Sequence, residues 1–222
     1  MPELKALVVD YGGVLTNSLA ETMGGWMHAE GIDGDAFAAA MRDLLGSEGA
    51  VEARVNPVHA LERGEIEIPH FEAELAKHLV STNGEPVRPE GLLGRMFSGF
   101  ERAEDMVGVV RRVRAAGYRT ALLSNSWGMD YPREDWAELF DVTVISGEVG
   151  MRKPDPEIYQ LCADQLALPP AACVFVDDLA PNVRGAAAVG MVGVLHRTYD
   201  ETVAELEALL GLDLAPGSDA AE

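Results

Sequence analysis

Five short runs of apolar residues, each unbroken rather than alternating, govern what this chain can become. They fall at residues 4–10 (Leu-Lys-Ala-Leu-Val-Val-Asp), 119–124, 142–146, 172–177 and 191–196. A strand with one wet face alternates apolar and polar residues; an unbroken run fits a strand covered on both faces, the condition of a parallel sheet. Helical spacing fills the intervals. In 104–116, Met106, Val109, Val110 and Val113 share a face that excludes Arg111, Arg112 and Arg114, and Gly117 follows as a stop. Residues 156–168 open on Pro154-Asp155-Pro156, a helix-start pattern, and 181–189 and 200–210 supply two more helices. Strands alternating with helices predict an α/β layer fold with right-handed crossovers.

One connection is out of proportion to that scheme. From Thr16 to Arg102 the spacing is helical throughout, as in Leu19, Met23 and Trp26, in Phe37, Ala40, Met41 and Leu44, and in Phe71, Leu75 and Leu79. A strand-to-helix connection takes about 2–6 residues, so this stretch of about five helical segments is an insertion with a small core of its own. The expected division is a core of residues 1–16 and 101–214, a helical cap of 17–100 and a disordered acidic tail of 215–222. A detour that leaves after the first strand and returns before the second is a candidate lid.

Charge and composition exclude several classes. Seventeen Lys+Arg against 37 Asp+Glu leave a formal charge of −20, which argues against nucleic acid and against docking on anionic lipid. No apolar run approaches the roughly 20 residues that span a bilayer. The start, Met1-Pro2-Glu3-Leu4-Lys5, lacks the basic opening of a secretory signal. Cys162 and Cys173 have no zinc-ligand spacing and read as small buried apolar groups. The expectation is a cytoplasmic protein with reduced thiols.

In an open parallel sheet, ligands gather outside the carboxyl ends of the strands. The first strand ends in Asp10, within Val-Val-Asp-Tyr-Gly-Gly-Val-Leu-Thr (8–16), and the second in Ser124, followed by Asn125. A loop after the third carries Arg152 and Lys153, and the fourth ends in Asp177 and Asp178. Three carboxylates, a hydroxyl and a lysine therefore converge on one rim. Three clustered carboxylates repel one another and any phosphate, so the rim calls for a cation, and oxygen-only ligands favour a hard one such as Mg²⁺.

These motifs, in this order and with a helical insertion in this interval, resemble the haloacid dehalogenase superfamily, in the helical-cap branch that includes the epoxide hydrolase N-terminal phosphatase and sugar-1-phosphate phosphatases. The resemblance implies a Rossmann-like three-layer core with a five-stranded parallel sheet. It also implies Mg²⁺ held by the side chains of Asp10 and Asp178 and the carbonyl of Gly12, with Asp177 in the outer shell. Asp10 would be the nucleophile, forming an aspartyl phosphate. Ser124 and the Asn125 backbone would bind the phosphoryl oxygens of a small phosphorylated metabolite, and Lys153 would neutralise them.

The sequence departs from the family pattern at Gly12, where most phosphatases of this kind carry an Asp as general acid and base, a group typically worth 10²–10⁴-fold. One reading is a phosphatase for leaving groups that need little protonation, such as anomeric sugar or acyl phosphates, with water or His28, His59 or His70 standing in. A metal-independent dehalogenase is a second reading, disfavoured by the Asp177-Asp178 pair. A catalytically silent binding or regulatory protein is a third. Arg152 and the segment from Leu61 to Ile66 are assigned no chemistry, Tyr11 is expected to pack in its turn, and Asn182 is left between capping a helix and orienting Lys153.

Overall fold

The computed structural model describes residues 3–45, 56–128 and 130–215. Its centre is one five-stranded sheet, built from β1 (Ala6–Val9), β2 (Arg119–Ser124), β3 (Val142–Ile145), β4 (Cys173–Asp177) and β5 (Val192–Leu195) in the order β3-β2-β1-β4-β5, every pair parallel. The unbroken apolar runs have the expected cause. Leu7 and Val9 of β1 point into one apolar cluster and Ala6 and Val8 into another, so both faces are dry. The first cluster is closed by α6 (Glu104–Ala115), through Met106, Val109, Val110 and Val113, and by α11 (Tyr199–Leu210), through Val203 and Leu206. The second is closed by α9 (Pro156–Gln165), through Ile158, Tyr159 and Cys162, and by α10 (Ala180–Ala188), through Ala186. The result is helix, sheet, helix.

The strands are shorter than the apolar runs. Residues 4, 5 and 10 flank β1 rather than belong to it, and Ala172, Met191 and His196 likewise fall outside their strands. Ser146 was expected to end a strand but opens the short helix α8 (Ser146–Val149), and a second four-residue helix, α7 (Trp136–Leu139), precedes β3. Parallel pairing holds only while a neighbour offers ladder partners, so the run of hydrophobicity outlasts the run of hydrogen bonds.

Between β1 and α6 lie five helices among the described residues: α1 (Leu19–Glu30), α2 (Gly34–Leu45), α3 (Pro57–Glu62), α4 (Ile68–His78) and α5 (Leu92–Met96). Local signals start them. Ser18 and Glu21 form a reciprocal capping box on α1, with Ser18 Oγ accepting from the Glu21 N–H at 3.2 Å and Glu21 Oε2 from the Ser18 N–H at 3.1 Å. Asn56 caps α3. The buried Glu72 carboxylate accepts from the N–H groups of Gly91 (3.1 Å) and Leu93 (2.9 Å), tying α4 to the start of α5. Met23, Trp26, Phe71, Leu75 and Leu92 lie in a third apolar cluster, separate from the two that flank the sheet.

The outgoing and returning ends of this detour lie side by side. Thr16 and Arg102 form an antiparallel bridge, and the Asn17 N–H donates to Glu101 O at 2.9 Å while the Ala103 N–H donates to Leu15 O at 2.9 Å. Asn17 adds a side-chain clamp, Nδ2 to Gly99 O at 3.1 Å and Oδ1 from the Glu101 N–H at 3.0 Å. Of the expected tail, only Ala215 falls within the described residues. No helix among them is long and apolar enough to cross a membrane.

Candidate active site

β1 is the middle strand, and its end is where the chemistry collects. Asp10 follows Val9 and is held to β4 by its N–H, which donates to Val176 O at 2.9 Å. Asp10 Oδ1 accepts from the Tyr11 N–H at 2.7 Å and meets Lys153 Nζ at 2.8 Å. Lys153 arrives from the loop after α8, fully buried, and its ammonium also donates to Asp177 Oδ2 at 2.7 Å and lies 5.5 Å from the centre of the Phe175 ring. Burial disfavours its charge, but Asp10 and Asp177 outweigh that, and the ammonium is held well above the usual lysine range.

Asp177 has both oxygens occupied. Oδ1 accepts from the Leu179 N–H (2.8 Å) and Asn182 Nδ2 (3.0 Å), and Oδ2 accepts from Lys153 Nζ (2.7 Å) and Asn182 Nδ2 (3.1 Å). Asn182 therefore orients Asp177; neither role weighed for it from sequence is the one observed. Asp178, half-buried, completes a trio in which one oxygen each of Asp10, Asp177 and Asp178 lies within 4.8 Å of the others. The environment of Asp10 and of Asp178 opposes ionisation. Burial, against the pull of Lys153 and with a push from Asp177 and Asp178, raises Asp10 to about 7. Burial and Asp177 raise Asp178 to about 6. An all-oxygen set of this kind suits a hard divalent cation, which would displace the protons that Asp10 and Asp178 retain. The turn below the trio admits no side chain at Gly13, where φ is +75° and a Cβ would stand 2.4 Å from Asp178 Oδ2.

The second strand supplies the other wall. Ser124 Oγ lies 3.1 Å from the Tyr131 hydroxyl. The Asn125 side chain clamps the backbone of Lys153, its Oδ1 accepting from the N–H at 2.9 Å and its Nδ2 donating to the carbonyl at 3.0 Å. Asp10, Gly12, Ser124, Asn125, Lys153 and Asp178 all line one cavity; Asp177, fully buried, is not among the residues that line it. The structure thus brings together every residue singled out at the strand ends.

Three participants escaped the sequence. Arg152, taken as a residue without a role, donates from Nε to Glu62 Oε2 at 2.5 Å, with side chains only 13% and 9% exposed. Glu62, in a segment to which no chemistry was assigned, also accepts from Trp127 Nε1 at 3.1 Å on its other oxygen, and its carbonyl accepts from Ser146 Oγ at 2.5 Å. Tyr131 pairs with Ser124 and packs edge-on against Tyr11, with ring centres 5.0 Å apart. Tyr11 does pack in its turn, and it lines the cavity as well. None of His28, His59 and His70, weighed as substitutes for the absent acid, is among the residues lining this cavity.

A doubly wound parallel sheet with carboxylates at the ends of β1 and β4, a hydroxyl at the end of β2 and a buried lysine between them defines a class of hydrolase. The chain belongs to the haloacid dehalogenase-like hydrolases, whose family model matches residues 4–190. It is 30% identical over 219 residues to acyl-CoA dehydrogenase family member 10 of Mus musculus, an overlap of 96% of this chain and 20% of that protein. The chain spans about a fifth of the length of that relative, and of the mammalian bifunctional epoxide hydrolases it also matches. To sesquiterpene phosphatase astK of Aspergillus oryzae it is 34% identical over 157 residues, covering 68% of this chain and 77% of that one. Among solved structures, a family enzyme from Bacteroides thetaiotaomicron in complex with magnesium and inorganic phosphate superposes with a TM-score of 0.62 at 19% identity, over 87% of this chain and 94% of the other.

Proposed function

We propose that the protein is a phosphoric monoester hydrolase acting on a small phosphorylated metabolite, with Mg²⁺ as cofactor and Asp10 as nucleophile. The observation that carries this reading is the fixing of Asp10 at the cavity floor. Lys153 and the Tyr11 amide both bond Oδ1, which aims the carboxylate while keeping it close to Asp178. A phosphatase among the relatives and a fold neighbour crystallised with magnesium and inorganic phosphate support it.

The side chains of Asp10 and Asp178 and the carbonyl of Gly12 would hold the Mg²⁺. When bound, it neutralises charge on the carboxylates and on the incoming phosphate. Asp177, with four hydrogen bonds on its two oxygens, acts from outside that shell by fixing Lys153 and the turn at Leu179. Ser124 Oγ and the Asn125 N–H donate to phosphoryl oxygens. Lys153 has three N–H donors, and its two ion pairs leave one for the same purpose. The Asp10 carboxylate attacks phosphorus as the ester P–O bond breaks, and the leaving oxygen takes its proton from water because Gly12 offers none. Water then attacks the phosphorus of the aspartyl phosphate, the P–O bond to Asp10 breaks, and inorganic phosphate departs with the carboxylate restored.

Residues 17–100 serve as the cap over a core of 1–16 and 101–214, excluding water while the acyl phosphate exists. The paired ends of the insertion and its separate apolar cluster support this division. Two buried free cysteines, the thiol of Cys173 pushed by burial up to about 11, suit a reducing cytoplasm. The test is phosphate release from p-nitrophenyl phosphate and a panel of phosphorylated metabolites, with Mg²⁺ and with chelator. Turnover should require Mg²⁺ and vanish, by at least about 10³-fold, in Asp10→Asn. Halide release from 2-haloacids, indifferent to chelator, would overturn the reading.

A further inference from the structure

The cavity above Asp10 encloses about 420 Å³, toward the small end of ligand pockets, which run from roughly 300 to 1,000 Å³. Polar groups crowd its floor. Its upper walls, among the described residues, are hydrocarbon and ring: Met23 from α1, Phe37 and Met41 from α2, Val58 from α3, and Phe97 and Phe100 after α5. Phe97 and Phe100 stack on each other, with centres 5.4 Å apart.

Apart from the Tyr11 hydroxyl, the polar side chains that reach the walls are already engaged. Glu62 and Arg152 pair at 2.5 Å, and Glu62 takes the Trp127 N–H as well. Asn125 is spent on the Lys153 backbone, Asn182 on Asp177, and Tyr131 on Ser124. Lys153 and Arg152 are the only lysine or arginine side chains lining the cavity among the described residues, and each already faces carboxylate. The rim points the same way. Of three large apolar side chains exposed among the described residues, Leu19 (41%) and Leu179 (50%) both border this opening.

We infer that the site takes phosphate monoesters whose organic part is a hydrocarbon or aromatic body with few hydroxyls, in preference to sugar phosphates, nucleotides or diphosphates. The inference rests on the phosphatase reading above and names its substrate class. A sugar in this cavity would lose the hydration of most of its hydroxyls and gain few partners, which is unfavourable, whereas a hydrocarbon gains by leaving water. A second phosphate would find no uncommitted cation. This narrows the leaving groups first considered, since an anomeric sugar phosphate is a poor match for these walls.

The experiment is a homologous series of n-alkyl phosphates, from ethyl to octyl, assayed with Mg²⁺ for kcat/KM. Leaving-group basicity barely changes along such a series, so the slope reads burial. Each methylene that enters the cavity should raise kcat/KM by twofold to about fourfold until the space is filled. Glucose 6-phosphate, also a primary alkyl ester, should fall at least about a hundredfold below hexyl phosphate. Phe37→Ser combined with Met41→Ser should flatten the slope. In parallel, the Mg²⁺-loaded protein is titrated by calorimetry with n-alkylphosphonates, which cannot be hydrolysed, and affinity should climb with chain length. Turnover of p-nitrophenyl phosphate with a flat alkyl series, or a preference for glucose 6-phosphate over hexyl phosphate, overturns this inference and leaves the phosphatase reading standing. Phosphonate affinity that climbs with chain length while no ester is cleaved supports the ligand class and overturns the phosphatase reading.

Discussion

Position 12 sets the chemistry apart at the level of single residues. Glycine there offers a carbonyl and no acid, yet the space for an acid exists: a Cβ would meet only the Phe100 ring, at 3.6 Å, which is ordinary contact. Gly12→Asp is therefore expected to fold, and to accelerate esters with basic leaving groups far more than those with acidic ones. On hexyl phosphate, kcat should rise at least about tenfold, toward the 10²–10⁴ that a well-placed acid contributes. On p-nitrophenyl phosphate the gain should stay under about threefold. Equal gains on both, measured at saturation with Mg²⁺, would show that protonation of the leaving group is not what limits the wild-type site. Its neighbour has no such latitude, because the Asp178 carboxylate occupies the place a side chain at 13 would need.

Among the elements, what could be read from sequence divides by whether the signal is local. The strands showed because burial on both faces leaves an unbroken apolar run, and Asp10, Ser124, Lys153 and Asp178 showed because they stand at or near the ends of those strands. The helices of the insertion were visible through spacing and caps such as Ser18 and Glu21. Glu62 and Arg152 were invisible for a physical reason. Their contact joins residues 90 apart, and either alone has the character of a solvated charge. Together they fasten α3 to the loop that carries Lys153, and their burial makes them costly to separate. Arg152→Met leaves Glu62 buried without its cation and should lower unfolding free energy by about 3–5 kcal/mol. Glu62→Leu combined with Arg152→Met should recover most of that loss. Urea unfolding of the two single variants and the double variant gives the coupling, and strict additivity would contradict a direct pair.

For the molecule as a whole the formal charge is −20, and pH is the means of probing the part of it that three carboxyls bring to the cavity floor. Asp10 at about 7 and Asp178 at about 6 both lie above their usual 3.8, so the folded protein retains protons that the unfolded chain has already released. For a carboxyl raised in this sense, the contribution to stability is full below about pH 4 and is lost as pH climbs through 6 to 7. Mg²⁺ competes with those protons, so its effect has the opposite sign. The rise in Tm on adding Mg²⁺ should be small at pH 5, grow through pH 6 to 7 and level off above about 7.5. Scanning calorimetry at fixed ionic strength checks this; an increment independent of pH would place the cation elsewhere. The bridge between Thr16 and Arg102 carries a consequence of another kind. A detour that departs and rejoins at a single point leaves the sheet indifferent to how long or how varied the excursion is, since doubling a closed loop adds only about 0.6 kcal/mol. If the insertion is the cap, as proposed, selectivity can be altered there with the chain of the sheet unbroken, provided that any helices transplanted at this seam keep a partner for Arg152, whose carboxylate Glu62 lies on the insertion.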